Sequence, residues 1–182
     1  MTSLLCFAFV AAVVETDGRL VLDTRLTDRL GRLYPDRGGD FVVHAGSVGA
    51  PVLAAVAAVV LLAASRIRLA IFWIVAVGGV LALDPLLKAA FERPALNGRS
   101  GDYSFPSGSA MLAMALVVAL WLLNRRRLVV ALLGVVLVVL HGAALVATRW
   151  HYPSDVLGGW LLALAWVIAA WVALSARAQD GV

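Results

Sequence analysis

The chain has 182 residues, of which 63% are hydrophobic and only 14% are charged. A soluble domain of ordinary composition is about 45–50% apolar, and a chain of this length is too small to bury such an excess in its own interior. The composition therefore excludes a soluble globular protein and predicts a polytopic integral membrane protein.

The net charge of +4 does not indicate nucleic-acid binding. The arginines lie in short runs between apolar stretches, as topology signals do, and they do not form one basic face. The single cysteine, Cys6, excludes an internal disulfide framework and a cysteine-based metal site. The expected surroundings are a lipid bilayer, with no nucleic-acid partner; the sequence predicts no oligomeric state.

The apolar segments predict about six transmembrane helices, because each crossing needs about 20 mostly apolar residues. The first, residues 3–14, is too short to cross alone unless it extends further. Its start shows no basic n-region with a small-residue cleavage site, so we expect it to serve as an uncleaved signal and not as a removable one. The other five are predicted at residues 48–64, 69–90, 107–123, 128–147 and 155–174. The predicted fold is an all-α, polytopic membrane helix bundle that forms one domain over residues 1–182.

A polar segment, residues 15–47, separates the first two predicted spans and carries five arginines and six acidic residues. Leu22, Leu26, Leu30 and Leu33 recur within it at helical spacing. This pattern indicates an amphipathic helix lying on the extracytoplasmic membrane surface. A plain solvated connector is an equally good interpretation.

Two short basic turns, residues 65–68 and 124–127, give the predicted orientation. Together they carry five arginines and no acidic residue, and cytoplasmic loops are the ones enriched in arginine and lysine. With six spans, both chain termini are then expected inside. Single crossings place the loop 91–106 and the link 148–154 on the extracytoplasmic face of the plasma membrane.

Polar residues cluster around these two outer segments, in a motif region that spans residues 88–155. Pro106, Ser107 and Gly108 open a predicted helix, where serine is a favoured cap and glycine allows a ligand to approach the backbone. Free N–H groups and the helix dipole at such a start make an anion site. Lys88 and Arg93 lie nearby in sequence and supply positive charge.

His151 lies just before the last predicted helix, and Asp155 lies in its first turn. Asp155 is placed to accept a hydrogen bond from one ring nitrogen of His151, which would leave the other nitrogen as a nucleophile. An anion site facing an oriented histidine predicts phosphoryl transfer through a phosphohistidine. The alternatives are a hydrogen-bonded pair at the membrane interface for these two residues and, for Lys88, pairing with Asp84 one turn away.

In these motifs the chain resembles the type 2 phosphatidic acid phosphatase superfamily, membrane lipid phosphatases related in fold to the vanadium haloperoxidases. The family pattern has a lysine, six residues and Arg-Pro; then Pro-Ser-Gly-His; then Ser-Arg, five residues, His, three residues and Asp. The most specific matches are residues 105–108, Phe-Pro-Ser-Gly, and residues 151–159, His-Tyr-Pro-Ser-Asp-Val-Leu-Gly-Gly.

The resemblance implies that His151 is the catalytic nucleophile and Asp155 its orienting partner. It also implies that Lys88, Ser107 and Gly108 bind the substrate phosphate, and it implies no metal or cofactor. The expected activity is hydrolysis of a lipid phosphate or an isoprenoid diphosphate, in which water releases phosphate from the phosphohistidine.

The chain departs from the family pattern at three places. Ala95 and Leu145 stand where the family has phosphate-binding arginines, and Ser109 stands where it has the general-acid histidine. Arg93 and Arg149 are the candidate replacements for the two arginines, and Ser109 is retained as a phosphate-binding residue.

The change at Ser109 affects the expected substrate. General acid catalysis typically contributes about 10²–10⁴-fold, and serine is too weak an acid to protonate a leaving alkoxide. A departing phosphate needs that proton less, so we expect a preference for diphosphates. The alternative function is that of a catalytically impaired member that binds a lipid phosphate or a membrane partner.

Overall fold

A computed structural model of the chain describes residues 2–17, 21–33, 36–96 and 103–177. The helices in these ranges are α1 (Thr2–Asp17), α2 (Val21–Leu33), α3 (Asp36–Ala63), α4 (Ile67–Trp73), α5 (Gly79–Phe91), α6 (Gly108–Leu123), α7 (Arg127–Ala147) and α8 (Pro153–Arg177). A π-helical turn, Ile74–Gly78, joins α4 and α5 into one continuous helix. Across the described ranges the β structure amounts to one isolated bridge, between Pro94 and Tyr103. The predicted all-α fold is confirmed.

Among the described residues, four helical segments are long and apolar enough to cross a membrane: Phe41–Ala63, Ile67–Phe91, Arg127–Ala147 and Pro153–Ala176. Two further apolar helices, Thr2–Glu15 and Gly108–Leu123, are shorter. The 16 residues of α6 rise about 24 Å at about 1.5 Å per residue, which is less than the roughly 30 Å hydrocarbon core of a bilayer. The predicted count of six spans is therefore not confirmed.

The polar segment before the second predicted span is largely helical. The leucine spacing correctly predicted a helix, α2, whereas α3 begins at Asp36, well before the span predicted from residue 48. Hydropathy marks where a helix enters the membrane and not where it begins. Because no proline interrupts residues 36–50, the polar turns continue directly into the apolar ones.

The centre of the bundle is α6, which packs against α3, α5, α7 and α8. Small side chains on α6, including Ala110, Ala115 and Ala119, are completely buried. Helix α8 approaches closely where it carries Gly159: a Cβ atom there would lie 2.8 Å from the carbonyl oxygen of Ser107. Small residues at this crossing therefore let two helix starts lie side by side.

Helices α3 and α7 keep broad apolar faces exposed. These faces include the large side chains of Val52, Val56, Leu133 and Leu137, each more than half exposed. Exposed apolar surface of this extent marks contact with something other than water. In a membrane bundle such faces lie against lipid.

The end of α5 and the starts of α6 and α8 lie together at one end of the bundle. The backbone N–H of Ser107, before α6, donates to the carbonyl oxygen of Asp155, in the first turn of α8, over 3.0 Å. The basic turn 65–68 joins α3 to α4, and the basic turn 124–127 joins α6 to α7. Both turns lie at the other end of the bundle. The residues that the sequence singled out for phosphate chemistry therefore gather at the end opposite the basic turns.

Candidate active site

His151 is fixed in the short link between α7 and α8. Its backbone N–H donates to the carbonyl oxygen of Leu145 over 3.2 Å, and its side chain is 13% exposed. The ring atom Nδ1 lies 3.0 Å from the carbonyl oxygen of Ser104. Because a carbonyl oxygen only accepts, Nδ1 carries the proton and Nε2 keeps its lone pair. The geometry therefore favours the tautomer that a nucleophile requires.

Asp155 is completely buried beside this imidazole. Its Oδ2 accepts a hydrogen bond from the backbone N–H of Tyr152 over 2.9 Å, as an acid in the first helical turn does in a capping box. Pro153 stands at the first helical position, where its missing N–H has no cost. The same Oδ2 lies 3.6 Å from Nδ1 of His151, which is longer than a normal hydrogen bond. The contact between Asp155 and His151 is thus electrostatic and not the predicted hydrogen bond. The ring donates its hydrogen bond to the carbonyl oxygen of Ser104, an acceptor that the sequence analysis did not predict.

Arg93 enters the site from the end of α5, where Glu92 adopts a left-handed conformation with φ of 47°. Its Nη1 donates to Oδ1 of Asp155 and, over 2.8 Å, to Oγ of Ser154. The guanidinium carbon also lies 4.3 Å from the centre of the Tyr152 ring. Arg93 therefore reaches the neighbourhood of His151, but its charge faces a carboxylate and not open space for a phosphate.

Asp23 of α2 binds the other side of this guanidinium. Its Oδ2 accepts from Nη2 of Arg93 over 2.8 Å and from Oγ of Ser154 over 2.6 Å, and its Oδ1 accepts from the N–H of Ser154 over 2.9 Å. The residue is 1% exposed. Sequence analysis missed Asp23, because nothing in the local pattern separates it from the other acids of the polar segment.

The predicted anion site lies at the start of α6. Ser107 is the N-cap: its buried Oγ accepts from the N–H of Ala110 over 3.4 Å, while its own N–H is bonded to Asp155. The next two N–H groups, those of Gly108 and Ser109, have no acceptor within the helix by the geometry of a helix start. Ser107 therefore shapes this helix start, and the amides that follow it are the groups suited to an anion.

Lys88 and Asp84 form an ion pair on the side of α5 that faces this helix start. Nζ of Lys88 lies 3.1 Å from Oδ2 of Asp84, and both side chains are partly exposed. The carboxylate of Asp84 packs directly against Gly108, where a Cβ atom would lie 2.6 Å from Oδ2. The pairing considered as the alternative for Lys88 is therefore present, and it brings the lysine close to the start of α6.

Arg149 lies away from these contacts. Its side chain is 64% exposed and pairs at 3.4 Å with Asp28, which is itself 54% exposed. Leu145, at the position of the family's second arginine, is buried in an apolar cluster with Val43 and Ala110. The contacts of Arg149 thus give no support to its predicted role in phosphate binding.

Comparisons with known proteins agree with this architecture. The model of the PAP2 superfamily matches residues 73–179. A similar solved structure is the crystal structure of the first transmembrane PAP2 type phosphatidylglycerolphosphate phosphatase from Bacillus subtilis, with a TM-score of 0.73, 23% sequence identity and coverage of 93% of this chain and 92% of that one. None of the curated proteins compared matches the chain.

The match of the family model covers more than half of the chain and includes every residue that the sequence predicted for the site. Asp23 lies outside it. The four described helices that are long and apolar enough to cross a membrane indicate a multi-pass integral membrane protein. The resemblance found in the motifs is confirmed, and the chain belongs to the PAP2 superfamily.

Proposed function

We propose that this protein is a membrane phosphatase that hydrolyses a lipid phosphate or an isoprenoid diphosphate through a phosphohistidine at His151. The observation that carries the proposal is the hydrogen bond from Nδ1 of His151 to the carbonyl oxygen of Ser104, which leaves Nε2 as a nucleophile. Membership of the PAP2 superfamily and the likeness to a phosphatidylglycerolphosphate phosphatase support the reaction class.

The charges around His151 suit phosphoryl transfer. The starts of α6 and α8 lie together, and both bring the positive ends of their dipoles to the same region. In the proposal, the amides of Gly108 and Ser109 and the ammonium of Lys88 bind the phosphate oxygens, where charge spreads during transfer. The carboxylate of Asp155 balances the positive charge that the imidazole gains.

The reaction would proceed in two displacements. Nε2 of His151 attacks phosphorus, a P–N bond forms, and the P–O bond to the leaving group breaks with its electron pair on the leaving oxygen. Water then attacks the same phosphorus, the P–N bond breaks, and Nε2 recovers its lone pair. Inorganic phosphate leaves, and the proton lost by the water passes to solvent.

The leaving group decides the proposed substrate. Ser109 stands where the family pattern has the histidine that protonates the leaving oxygen, and its hydroxyl is too weak an acid for that task. A diphosphate releases a phosphate, which leaves without a proton far more readily than an alkoxide. We therefore expect faster phosphate release from a prenyl diphosphate than from a phosphatidate, and the reverse order would refute this preference.

The proposed orientation places the site on the extracytoplasmic face of the plasma membrane, with the basic turns in the cytoplasm. In a Cys6→Ala background, Arg149→Cys should react with a membrane-impermeant thiol reagent added to intact cells. Arg126→Cys, in the second basic turn, should react only after permeabilisation. Labelling in the opposite order would reverse the orientation.

A specific observation favours a second function. Arg149, one of the two arginines expected to bind phosphate, pairs with Asp28 on the surface, and the guanidinium of Arg93 faces Asp155 and Asp23. With both arginines engaged by carboxylates, less positive charge is left to stabilise a transition state than to bind a phosphate in the ground state, which suits a catalytically impaired member that binds a lipid phosphate or a membrane partner. Retention of a radiolabelled lipid phosphate by purified protein, without release of phosphate from any substrate, would favour this function.

The experiment that tests the phosphatase proposal measures phosphate release by purified protein in detergent. We expect release from a prenyl diphosphate with the wild-type chain and at least a 10³-fold loss with His151→Ala, roughly the effect of removing a nucleophile. Vanadate, an analogue of the pentacoordinate phosphate, should inhibit. Release that survives the substitution would show that another protein in the preparation is responsible.

A further inference from the structure

A buried charge cluster joins α2 to the site, and no step of the proposed reaction uses its outermost member, Asp23. The cluster consists of Asp23, Arg93, Ser154 and Asp155, all buried. Burying a carboxylate is unfavourable unless it is paired and hydrogen-bonded. Asp23 meets that condition entirely through residues distant in sequence, 70 positions away for Arg93 and 131 for Ser154.

The cluster divides the guanidinium of Arg93 between two carboxylates. Nη1 contacts Oδ1 of Asp155, whereas Nη2 contacts Oδ2 of Asp23. An arginine beside a single carboxylate prefers two parallel bonds to both of its oxygens. Because Asp23 binds Nη2, the contact with Asp155 involves one oxygen, and Oδ2 of Asp155 remains directed to the N–H of Tyr152 and to Nδ1 of His151.

Asp23 also fixes the start of the helix that follows His151. Its carboxylate accepts from both the N–H and the hydroxyl of Ser154, the second residue of α8. A carboxylate at a helix start satisfies an N–H without an intrahelical acceptor and interacts favourably with the helix dipole. The first turn of α8 is therefore anchored to α2 through Ser154, which follows the end of the His151 link, Tyr152, by two residues.

We propose that Asp23 is a positioning residue for His151: by dividing the guanidinium of Arg93 and anchoring Ser154, it keeps Oδ2 of Asp155 beside Nδ1. There the negative charge of Asp155 reinforces the hydrogen bond to Ser104 in holding the proton on Nδ1, the nucleophilic tautomer. The proposal rests on the proposed function for its kinetic consequence, but the tautomer itself does not depend on turnover. Asp23 touches neither the substrate nor the reacting atoms, so its effect passes through Arg93 and Asp155.

Asp23→Asn tests the proposal, because it removes the charge and keeps the shape of the side chain. We expect kcat on a prenyl diphosphate to fall about 10- to 100-fold, in line with the effect of small misplacements of reacting groups, while KM changes less than about twofold. Asp28→Asn, on the exposed face of the same helix, is the matched control and should leave kcat unchanged. A fall in kcat confined to less than twofold for Asp23→Asn would overturn the proposal.

A double-variant cycle tests the route of the effect. If Asp23 acts through Arg93, Asp23→Asn should lower kcat less than about threefold in an Arg93→Gln background. Losses that multiply fully in the double variant would overturn this route. Should Asp23→Asn fail to fold, Ser154→Ala deletes only the hydroxyl that bridges Asp23 and Arg93; we expect a loss of about 3- to 10-fold in kcat, and no loss would overturn the proposal.

A second readout separates this proposal from the phosphatase proposal. In ¹⁵N-histidine NMR spectra of the protein in detergent, with His151→Ala to assign the signal, wild-type His151 should show a protonated Nδ1 and an unprotonated Nε2. Asp23→Asn should give a mixture of tautomers, and Asp28→Asn should not. An unchanged tautomer in Asp23→Asn overturns the positioning role. If the wild-type protein has no phosphatase activity but Asp23→Asn still shifts the tautomer of His151, the phosphatase proposal is refuted and the positioning role is supported.

Discussion

Replacing Arg93 with glutamine leaves two buried carboxylates without their shared cation. Arg93 is 3% exposed at its side chain and bonds Asp23 at 2.8 Å on one nitrogen and Asp155 on the other. Glutamine is shorter and uncharged, so at most one carboxylate keeps a weak hydrogen bond. The two negative charges then remain close together in a buried site, and the folded state loses stability.

The size of this loss follows from burial. Removing one partner of a buried ion pair typically costs about 3–5 kcal/mol, because an uncompensated charge stays in a medium of low dielectric. The surface pair of Arg149 with Asp28 is the matched comparison: both side chains are more than half exposed and their closest atoms are 3.4 Å apart. Exposed pairs contribute about 0.2–1 kcal/mol, so Arg149→Gln should cost no more than that.

The assay is reversible unfolding of purified protein in mixed micelles, followed by the fluorescence of the six tryptophans. We expect the free energy of unfolding to fall by at least about 3 kcal/mol for Arg93→Gln and by less than about 1 kcal/mol for Arg149→Gln. Equal losses of stability for the two variants would refute the argument that Arg93 stabilises the fold because it is buried and binds two carboxylates.

Three further predictions concern single positions. Gly46→Ala should destabilise the protein by about 1–3 kcal/mol, since its Cβ would collide with the ring of His141 in α7, whereas Gly49→Ala has open space around it and should be neutral or stabilising. Unfolding curves of the two variants test this, and equal losses of stability would contradict the packing. Gly108→Ala should lower phosphatase activity at least tenfold by displacing the carboxylate of Asp84 (about 1.4 kcal/mol or more), and adding Asp84→Ala should restore part of it; no relief in the double variant would exclude this contact as the cause. Ser109→His should raise phosphatidate hydrolysis more than prenyl diphosphate hydrolysis in parallel assays, and a uniform change would contradict the general-acid argument.

Local chemistry explains which parts of the site the sequence could predict. Ser107 and Pro153 mark helix starts through rules that involve neighbouring residues alone, and the four-residue spacing of His151 and Asp155 predicts their proximity. The structure has these features, with the ring of His151 bonded to Ser104 and 3.6 Å from the carboxylate. The pairing of Lys88 with Asp84 follows in the same way from one helical turn.

Long-range packing explains what the sequence could not predict. The direction of Arg149 depends on the link that carries it, where a left-handed φ of 59° turns the chain and the side chain reaches Asp28. The partnership of Asp23 with Ser154 spans 131 positions and has no local signal. The leucine pattern correctly predicted α2, but the face of this helix that matters to the site carries Asp23 and Thr27, both buried.

Hydropathy alone could not predict the number of membrane-spanning helices. Helix α6 lies at the centre of the bundle, where neighbouring helices cover much of its surface, and its 16 residues are shorter than a full crossing. Length and apolarity therefore predict helices reliably but do not reveal which of them contact the bilayer on all sides.

The central claim is that Nε2 of His151 takes up the phosphoryl group. Rapid quenching of the purified protein with a prenyl diphosphate labelled with ³²P at the terminal phosphate tests it most directly. We predict an acid-labile, base-stable phosphoprotein, with the label on the peptide that contains His151 and none in His151→Ala. Phosphate release from the wild-type chain with the label on another residue, or with no labelled protein at early times, would contradict the claim.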